Sequence, residues 1–213
     1  MKFLILKTTD PYLNLAIEEY LFEYSSDDIF MIWQNEPTVV IGKNQNAHAE
    51  INMNYLKEHG IHIARRITGG GAVYHDLGNI NYTFISSKNQ KNEINFEYYT
   101  IPIIESLKNL GINVKLSGRN DLTVDEKKFS GSAQHAKGGR VLHHGTLLFD
   151  SDLSVLTNVL NVDDEKIKSK AIKSTRSRVI NLKELLGDIF SVEEFINYIS
   201  EFIKKTFNPE TIS

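Results

Sequence analysis

The segment Thr68-Gly69-Gly70-Gly71 stands between two runs of strand character, Ile61 to Ile67 before it and Ala72 to Tyr74 after it. Consecutive glycines have no side chain to pack, tolerate positive φ and let another group come close to the backbone. A strand-to-strand setting excludes the strand-to-helix geometry of a P-loop or a dinucleotide fingerprint. The chain has no Gly-x-x-x-x-Gly-Lys-Ser/Thr, and the turn lacks the dinucleotide spacing. Any nucleotide chemistry here needs a different fold.

Strand and helix signals elsewhere follow no regular βαβ alternation. Phe3 to Lys7 reads as a strand, and Asp10-Pro11 offers an N-cap with proline in the first helical turn. In the helix that follows, Leu13, Ile17, Tyr20, Leu21 and Tyr24 form the apolar set, with Glu18, Glu19 and Glu23 toward solvent. Ile29 to Trp33, Thr38 to Ile41 and Ile80 to Ser86 have the β-branched and aromatic content of strands. Helices are expected near Met53 to His59, stopped by Gly60, over Phe96 to Leu110 with Pro102 as a kink, and over Leu153 to Leu160 and Val192 to Phe207. The section from Ile112 to Phe149 is β-rich. The pattern predicts an α+β fold of mixed, largely antiparallel sheets flanked by helices, as one domain over 1–213.

Charge and cysteine content narrow the chemistry. With 24 basic and 27 acidic residues the net charge is −3, so no global positive field draws the chain to nucleic acid or anionic lipid. There is no cysteine, which excludes disulfides, thiolate metal sites and covalent catalysis by a thiol. The apolar run Phe3 to Leu6 is too short for a signal-peptide core, and nothing approaches the roughly 20 apolar residues of a membrane span. A cytoplasmic protein is expected.

Four constellations carry possible chemistry. Alone, the glycine run reads as a flexible turn; with Arg65 and Arg66 before it and His75 and Asp76 after it, an anion-binding nest is the better reading. In Asn120-Asp121, the carboxylate suits Mg²⁺, although a plain turn fits as well. Lys128 can place a mobile charge on a phosphate, and the small residues Ser130 to Ala133 beside it allow close approach. His143 and His144 lie adjacent in a strand and therefore face opposite ways, so only one can face a site. The basic, hydroxyl-rich stretch Ser169 to Arg178 is either a solvated loop or a flap over a phosphate. His59 and His62 lack the further ligands a metal site requires.

Taken in order, Arg65 to Asp76, Gly118 to Leu122, Lys128 to Ala133, His143 to Leu148 and Ser169 to Leu182 resemble the motif set of the lipoate–protein ligase A family, over nearly the whole chain. The resemblance implies a biotin/lipoate ligase-like catalytic domain that activates lipoic acid with ATP and Mg²⁺ to lipoyl-adenylate, then transfers the lipoyl group to a lysine. By position it implies that Arg66, Gly71, Ala72, Val73 and Tyr74 contact ATP or the adenylate, and that Lys128 is the catalytic lysine, touching both lipoate and the α-phosphate. Gly69, Gly70, Gly71, His75, His144, Gly145 and Thr146 would border lipoate; Trp33, Val39, Val73 and Tyr82 fit an apolar tunnel for its tail and equally fit plain core. Asp121 would help hold Mg²⁺ with Asn120 nearby, and Ser169, Lys170, Ser174, Arg176 and Arg178 would belong to an adenylate-covering loop.

The implied acceptors are lipoyl domains of 2-oxoacid dehydrogenase E2 subunits or the glycine cleavage H protein. Longer members of the family carry a C-terminal accessory domain, so a further domain or a separate accessory protein is an expected partner. Rival readings are a cysteine-independent lipoyl or octanoyl transferase and a non-enzymatic lipoyl-nucleotide-binding protein. Biotin ligases would be expected to show a Gly-Arg-Gly-Arg loop, which Arg65 to Gly71 does not match.

Overall fold

A computed structural model describes residues 1–87, 94–159 and 179–207. The chain forms a seven-stranded sheet and a three-stranded sheet. The large sheet comprises β1 (Lys2–Ile5), β2 (Ile29–Trp33), β6 (Asn79–Ser87), β7 (Lys115–Ser117), β8 (Asp121–Val124), β9 (Lys127–Lys137) and β10 (Arg140–Leu148), in the order β1-β2-β6-β10-β9-β8-β7. Only β1 and β2 pair in parallel. In the small sheet, β3 (Thr38–Ile41) lies between β4 (His62–Arg65), parallel to it, and β5 (Val73–His75), antiparallel. The mixed, largely antiparallel α+β architecture is the one expected.

Strand periodicity distributes the core. Every residue of β2 is buried: Phe30 and Ile32 meet Ile80, Tyr82 and Phe84 on one face, while Ile29, Met31 and Trp33 point to the other. The first face is covered by α4 (Phe96–Asn109) and by the helix Val192–Phe207, here α7. The second meets α1 (Pro11–Tyr24) and the inner face of the small sheet through Val40 and Ala64. Val39 and Ile41 face outward onto Leu56 of α3 (Met53–Glu58), next to the one-turn α2 (Ala47–Glu50) and α5 (Leu153–Val159). The functional cavity lies between the two sheets.

The expected face of α1 is corrected in part, since of its apolar set Ile17 and Leu21 do pack against the core. Asp10 does cap it, accepting from the amides of Tyr12 and Leu13. However, Tyr12, Leu13, Tyr20 and Tyr24 are exposed, and the buried face is Pro11, Asn14, Leu15, Glu18 and Phe22. Polar residues enter because partners await them. Asn14 Nδ2 donates to Thr8 O, Gln34 O and Asn35 Oδ1, and Glu18 accepts from Thr83. Helix α4 runs through Pro102 as expected, while the short helix α6 (Leu182–Leu186) is an addition, although Asn181 and Glu184 at its start have capping-box spacing. Among the described residues no helix is long and apolar enough to cross a membrane.

Asp76 closes the fold rather than facing a phosphate. Its Oδ1 accepts from Gly78 N, Asn79 N and Ser151 Oγ, and its Oδ2 from Asp152 N. Removing this acceptor leaves several buried donors unsatisfied, so Asp76→Ala should lower stability by about 2–4 kcal/mol in urea unfolding. A change within 0.5 kcal/mol would show that water replaces the carboxylate.

Two enclosed histidines add a pH signature. Burial, then the positive charge of Arg66, lowers the pKa of His75 from the usual 6.5 to about 3. Burial also pushes that of His143 well below 6.5. The unfolded chain protonates both near the usual value, so it binds more protons at lower pH. Their contribution to stability is full above about pH 6.5 and is lost below it, by up to about 1.4 kcal/mol per pH unit for each ring. His143→Phe should flatten this decline in urea titrations between about pH 6.5 and 4.5. An unchanged slope would mean that His143 titrates in the folded protein.

Candidate active site

Two arginines hold the glycine turn from beneath. Arg66 is buried, and its guanidinium donates to Thr68 Oγ1 (3.0 Å), Val40 O (3.0 Å), Gly69 O (2.8 Å) and Gly71 O (2.7 Å). Burial lowers its pKa to about 10, partly opposed by the charge of Glu18, so the group stays charged near neutrality. Arg65 donates to the carbonyls of Gly42, Lys43 and Gln45 in the loop after β3. That loop is pressed onto the turn: Lys43 N donates to Thr68 O at 2.8 Å, and a Cβ on Gly42 would stand 2.2 Å from Gly70 O. Gly42 must therefore be glycine, and Gly70 needs its positive φ of 99°.

Next to the turn is a cavity of about 190 Å³ whose apolar wall includes Leu15, Trp33, Val40 and Val73. Its polar wall is built by β9 and β10. His144 faces it, while His143 on the opposite face is buried against Tyr99, with ring centroids 5.1 Å apart. Behind His144 lies a buried chain of hydrogen bonds. His144 Nε2 meets Thr68 Oγ1 at 2.8 Å, and its Nδ1 meets both oxygens of Glu18 at 3.0 Å. Thr83 Oγ1 donates to Glu18 at 2.6 Å and accepts from Trp33 Nε1 at 3.0 Å.

Lys128 stands where this cavity meets a second, more open cleft of about 740 Å³. Its Nζ is 2.8 Å from Asp121 Oδ1, and both side chains are partly exposed. A β-bulge lies directly after this lysine. Thr123 pairs with Lys128 but Leu122 pairs with Ser130, so Phe129 is the extra residue and is buried in the core while Lys128 stays beside the cleft. The bulge follows a tight turn at Asp125 and Glu126, both with positive φ (48° and 64°) and neither Gly nor Asn. Behind the lysine, a Cβ on Gly131 would lie 3.0 Å from both Cε and Nζ of Lys128. Among the described residues no group of three or more His, Cys, Asp or Glu side chains is arranged to hold a metal.

Most residues singled out from the sequence are brought together. Arg66, Gly70, Gly71, Val73, His75, Asn120, Lys128, His144, Gly145 and Thr146 line the first cavity; Val73, Tyr74, Asp121, Lys128 and Thr146 line the second. Gly69 and Ala72 lie in the same turn without lining either cavity. Of the expected tunnel, Trp33 and Val73 are present, whereas Val39 packs outward and Tyr82 lies in the core beneath Gly145, whose added Cβ would strike its ring. Asn120 donates from Nδ2 to Ser132 O. Ser169, Lys170, Ser174, Arg176 and Arg178 fall outside the described residues. His59 stacks on Tyr55 and His62 contacts Glu36. The sequence reading missed Glu18, Thr83, Asn81 and Gly42. Only Gly42, a glycine directly after a buried strand, left a signal.

The Lipoyl protein ligase A/B catalytic domain family matches residues 10–204 of this chain. The lipoate–protein ligase LplJ of Bacillus subtilis is 47% identical over 199 residues, covering 92% of this chain and 60% of that protein. The chain therefore spans about 60% of the length of this curated relative. Among solved structures, a bi-partite lipoate protein ligase of Thermoplasma acidophilum, described with its E2 lipoyl domain, superposes with a TM-score of 0.86 at 33% identity, covering 96% of this chain and 82% of that one. A lipoate–protein ligase A bound with ATP gives 0.82 at 30% identity, covering 96% of this chain and 84% of that one. The turn, the lysine strand and the histidine strand all lie within the matched span, and the chain belongs to the lipoyl protein ligase A/B catalytic domain family.

Proposed function

We propose that residues 1–213 form the catalytic domain of an ATP-dependent lipoate–protein ligase. The carrying observation is the position of Lys128, the charged side chain among those shared by a small, largely apolar cavity and a larger cleft lined by charged residues. The apolar cavity suits the hydrocarbon tail and dithiolane of lipoate. The cleft, with Asp121 and the glycine turn nearby, suits a triphosphate. Sequence identity to a lipoate–protein ligase and structural likeness to a ligase with ATP bound support the same assignment.

Activation follows from this arrangement. A carboxylate oxygen of lipoate attacks the α-phosphorus of ATP, the bond from that phosphorus to the bridging oxygen breaks, and pyrophosphate leaves. Negative charge grows on the α-phosphoryl oxygens, where Lys128 is placed to stabilise it. The lysine first exchanges its contact with Asp121 for the reactants. That exchange frees the carboxylate, and one carboxylate in an open cleft is the kind of hard oxygen donor that would suit Mg²⁺. Asp121 would hold it with Asn120 nearby, and the ion would neutralise charge on the phosphates.

Arg66 would act at one remove, holding the carbonyls of the turn so that Gly71, Ala72, Val73 and Tyr74 can approach the nucleotide. Gly69, Gly70, His75, His144, Gly145 and Thr146 would enclose the acyl group, and Ser169, Lys170, Ser174, Arg176 and Arg178 would cover the adenylate. In the second half-reaction an acceptor lysine nitrogen attacks the acyl carbonyl and AMP leaves. No thiol is available, so the acyl group passes directly from adenylate to acceptor. The acceptors are lipoyl domains of E2 subunits or the H protein in the cytoplasm, with a C-terminal domain or separate accessory protein assisting transfer.

Lys128→Ala should reduce lipoate-dependent pyrophosphate release by about 10²–10³-fold, whereas Lys127→Ala should stay within about threefold. Equal rates for wild type and Lys128→Ala would defeat the assignment. Gly131→Ala should fold normally but displace the lysine head, with an expected loss of about tenfold to a hundredfold. Full activity in that variant would show that the lysine is not held where it acts. Incubation with lipoate, ATP, Mg²⁺ and a lipoyl domain, followed by intact-mass measurement, tests the overall reaction; an acyl-enzyme adduct in that experiment would favour a transferase.

A further inference from the structure

Glu18 is 1% exposed on the buried face of α1, in a cluster that includes Leu15, Phe22, Met31 and Trp33. A carboxylate in such a setting is costly unless its oxygens are satisfied. It lies behind His144, which lines the acyl cavity, and does not itself reach that cavity. Its partners dictate a direction of hydrogen bonding. An ionised carboxylate only accepts, so the Nδ1 that meets both of its oxygens carries the ring proton of His144. In the neutral ring Nε2 then has a lone pair and receives the hydroxyl proton of Thr68 at 2.8 Å. With its proton so placed, Thr68 Oγ1 accepts from Arg66 Nε at 3.0 Å. The same guanidinium fixes the carbonyls of Gly69 and Gly71. Each link satisfies the next, and none of the side-chain polar atoms of Glu18, His144 and Thr68 is left without a partner. The charge of Glu18 also opposes the desolvation of Arg66.

We propose that Glu18 is a positioning residue that acts through His144 and Thr68 to set the conformation of the glycine turn. Its catalytic consequence rests on the ligase reading; its structural consequence does not. A neutral glutamine in its place can present either its oxygen or its NH₂ group to His144. In the second orientation the ring proton moves to Nε2 and donates to the Thr68 oxygen, which also accepts from Arg66 Nε. The Thr68 hydroxyl proton then loses its acceptor, and the turn loses its single hydrogen-bond pattern.

The first measurement is the ¹⁵N NMR signature of the His144 ring in the full chain without ligands. Wild type should show a proton on Nδ1 and a bare Nε2, and Glu18→Gln should lose that single-tautomer pattern. A proton on Nε2 in wild type, or no change in the variant, would overturn the proposal. The second measurement is kcat for lipoate-dependent pyrophosphate release. Glu18→Gln should lower it by about tenfold or more, the worth of a hydrogen bond to a charged group. In a Thr68→Val background the same substitution should change it by less than about twofold, because the route to the turn is already cut. A full effect in both backgrounds would show that Glu18 does not act through Thr68.

Should Glu18→Gln fail to fold, the comparison of Thr68→Ser with Thr68→Val decides. Serine keeps the hydroxyl and should retain the wild-type kcat, while valine should not; equal kcat values would overturn the proposal. Absence of pyrophosphate release in wild type would sink the ligase reading and leave the tautomer result to stand on its own.

Discussion

Three consecutive glycines lose more backbone entropy on ordering than most tripeptides, so a turn built from them stays in one shape only if it is held from outside. Arg66 supplies that hold. Its planar fork reaches two carbonyls of the turn, one carbonyl of β3 and the Thr68 hydroxyl, a geometry that a lysine could not reproduce. The price is a buried cation, and this requirement organises the surroundings. Glu18 balances the charge from α1, His144 and Thr68 connect the two, and Thr83 with Trp33 completes the acceptor side of the carboxylate. The cavity between the sheets thus has one face that is apolar and one that is polar, with His144 on that face paired to Glu18 and Thr68.

This division fits the two dissimilar reactants of the proposed reaction. Apolar side chains from α1, β2, β3 and β5 make a wall suited to a hydrocarbon chain, while Asn120, Lys128, Ser132, His144 and Thr146 supply polarity from the other side. Unpaired polar groups along the apolar wall would bind water and weaken that preference. Pairing His144 and Glu18 behind the wall avoids this, because their hydrogen-bonding capacity is spent on each other and on Thr68 and Thr83. Lys128 is the exception: its contact with Asp121 is partly exposed and therefore weak enough to be exchanged for reactants.

Local signals placed the strands well because both faces of β2 and β3 are apolar, and that leaves little choice of structure. The glycine turn, Lys128, Asp121 and the His143–His144 alternation were legible for the same kind of reason, since each depends on residue type and local spacing. Glu18 was not. A glutamate at helical spacing from other glutamates reads as solvated, and its burial depends on Thr83 and His144, 65 and 126 positions away along the chain. Asp76 was misread in the opposite sense, as a site residue, because its partners Ser151 and Asp152 are equally remote. Tyr82 and Val39 have the composition of a tunnel lining, but strand alternation turns both away from the cavity.

Strand alternation at Lys128 joins a functional face to a structural one. Lys128 and Ser130 both line the cleft, while Phe129 between them points into the core. The bulge shifts the register with β8 beyond Lys128, so that Gly131 rather than Ser130 pairs with Asp121. The backbone on either side is pinned. Ile180 N donates to Lys128 O, and Val179 bridges to the same residue. Ile180 is itself buried in the core that holds α4 and α7. The lysine therefore combines a mobile four-carbon stem with a fixed backbone root. Its ammonium can move from Asp121 to a reactant without disturbing the strand, and the ordering cost of that step falls on the side chain alone.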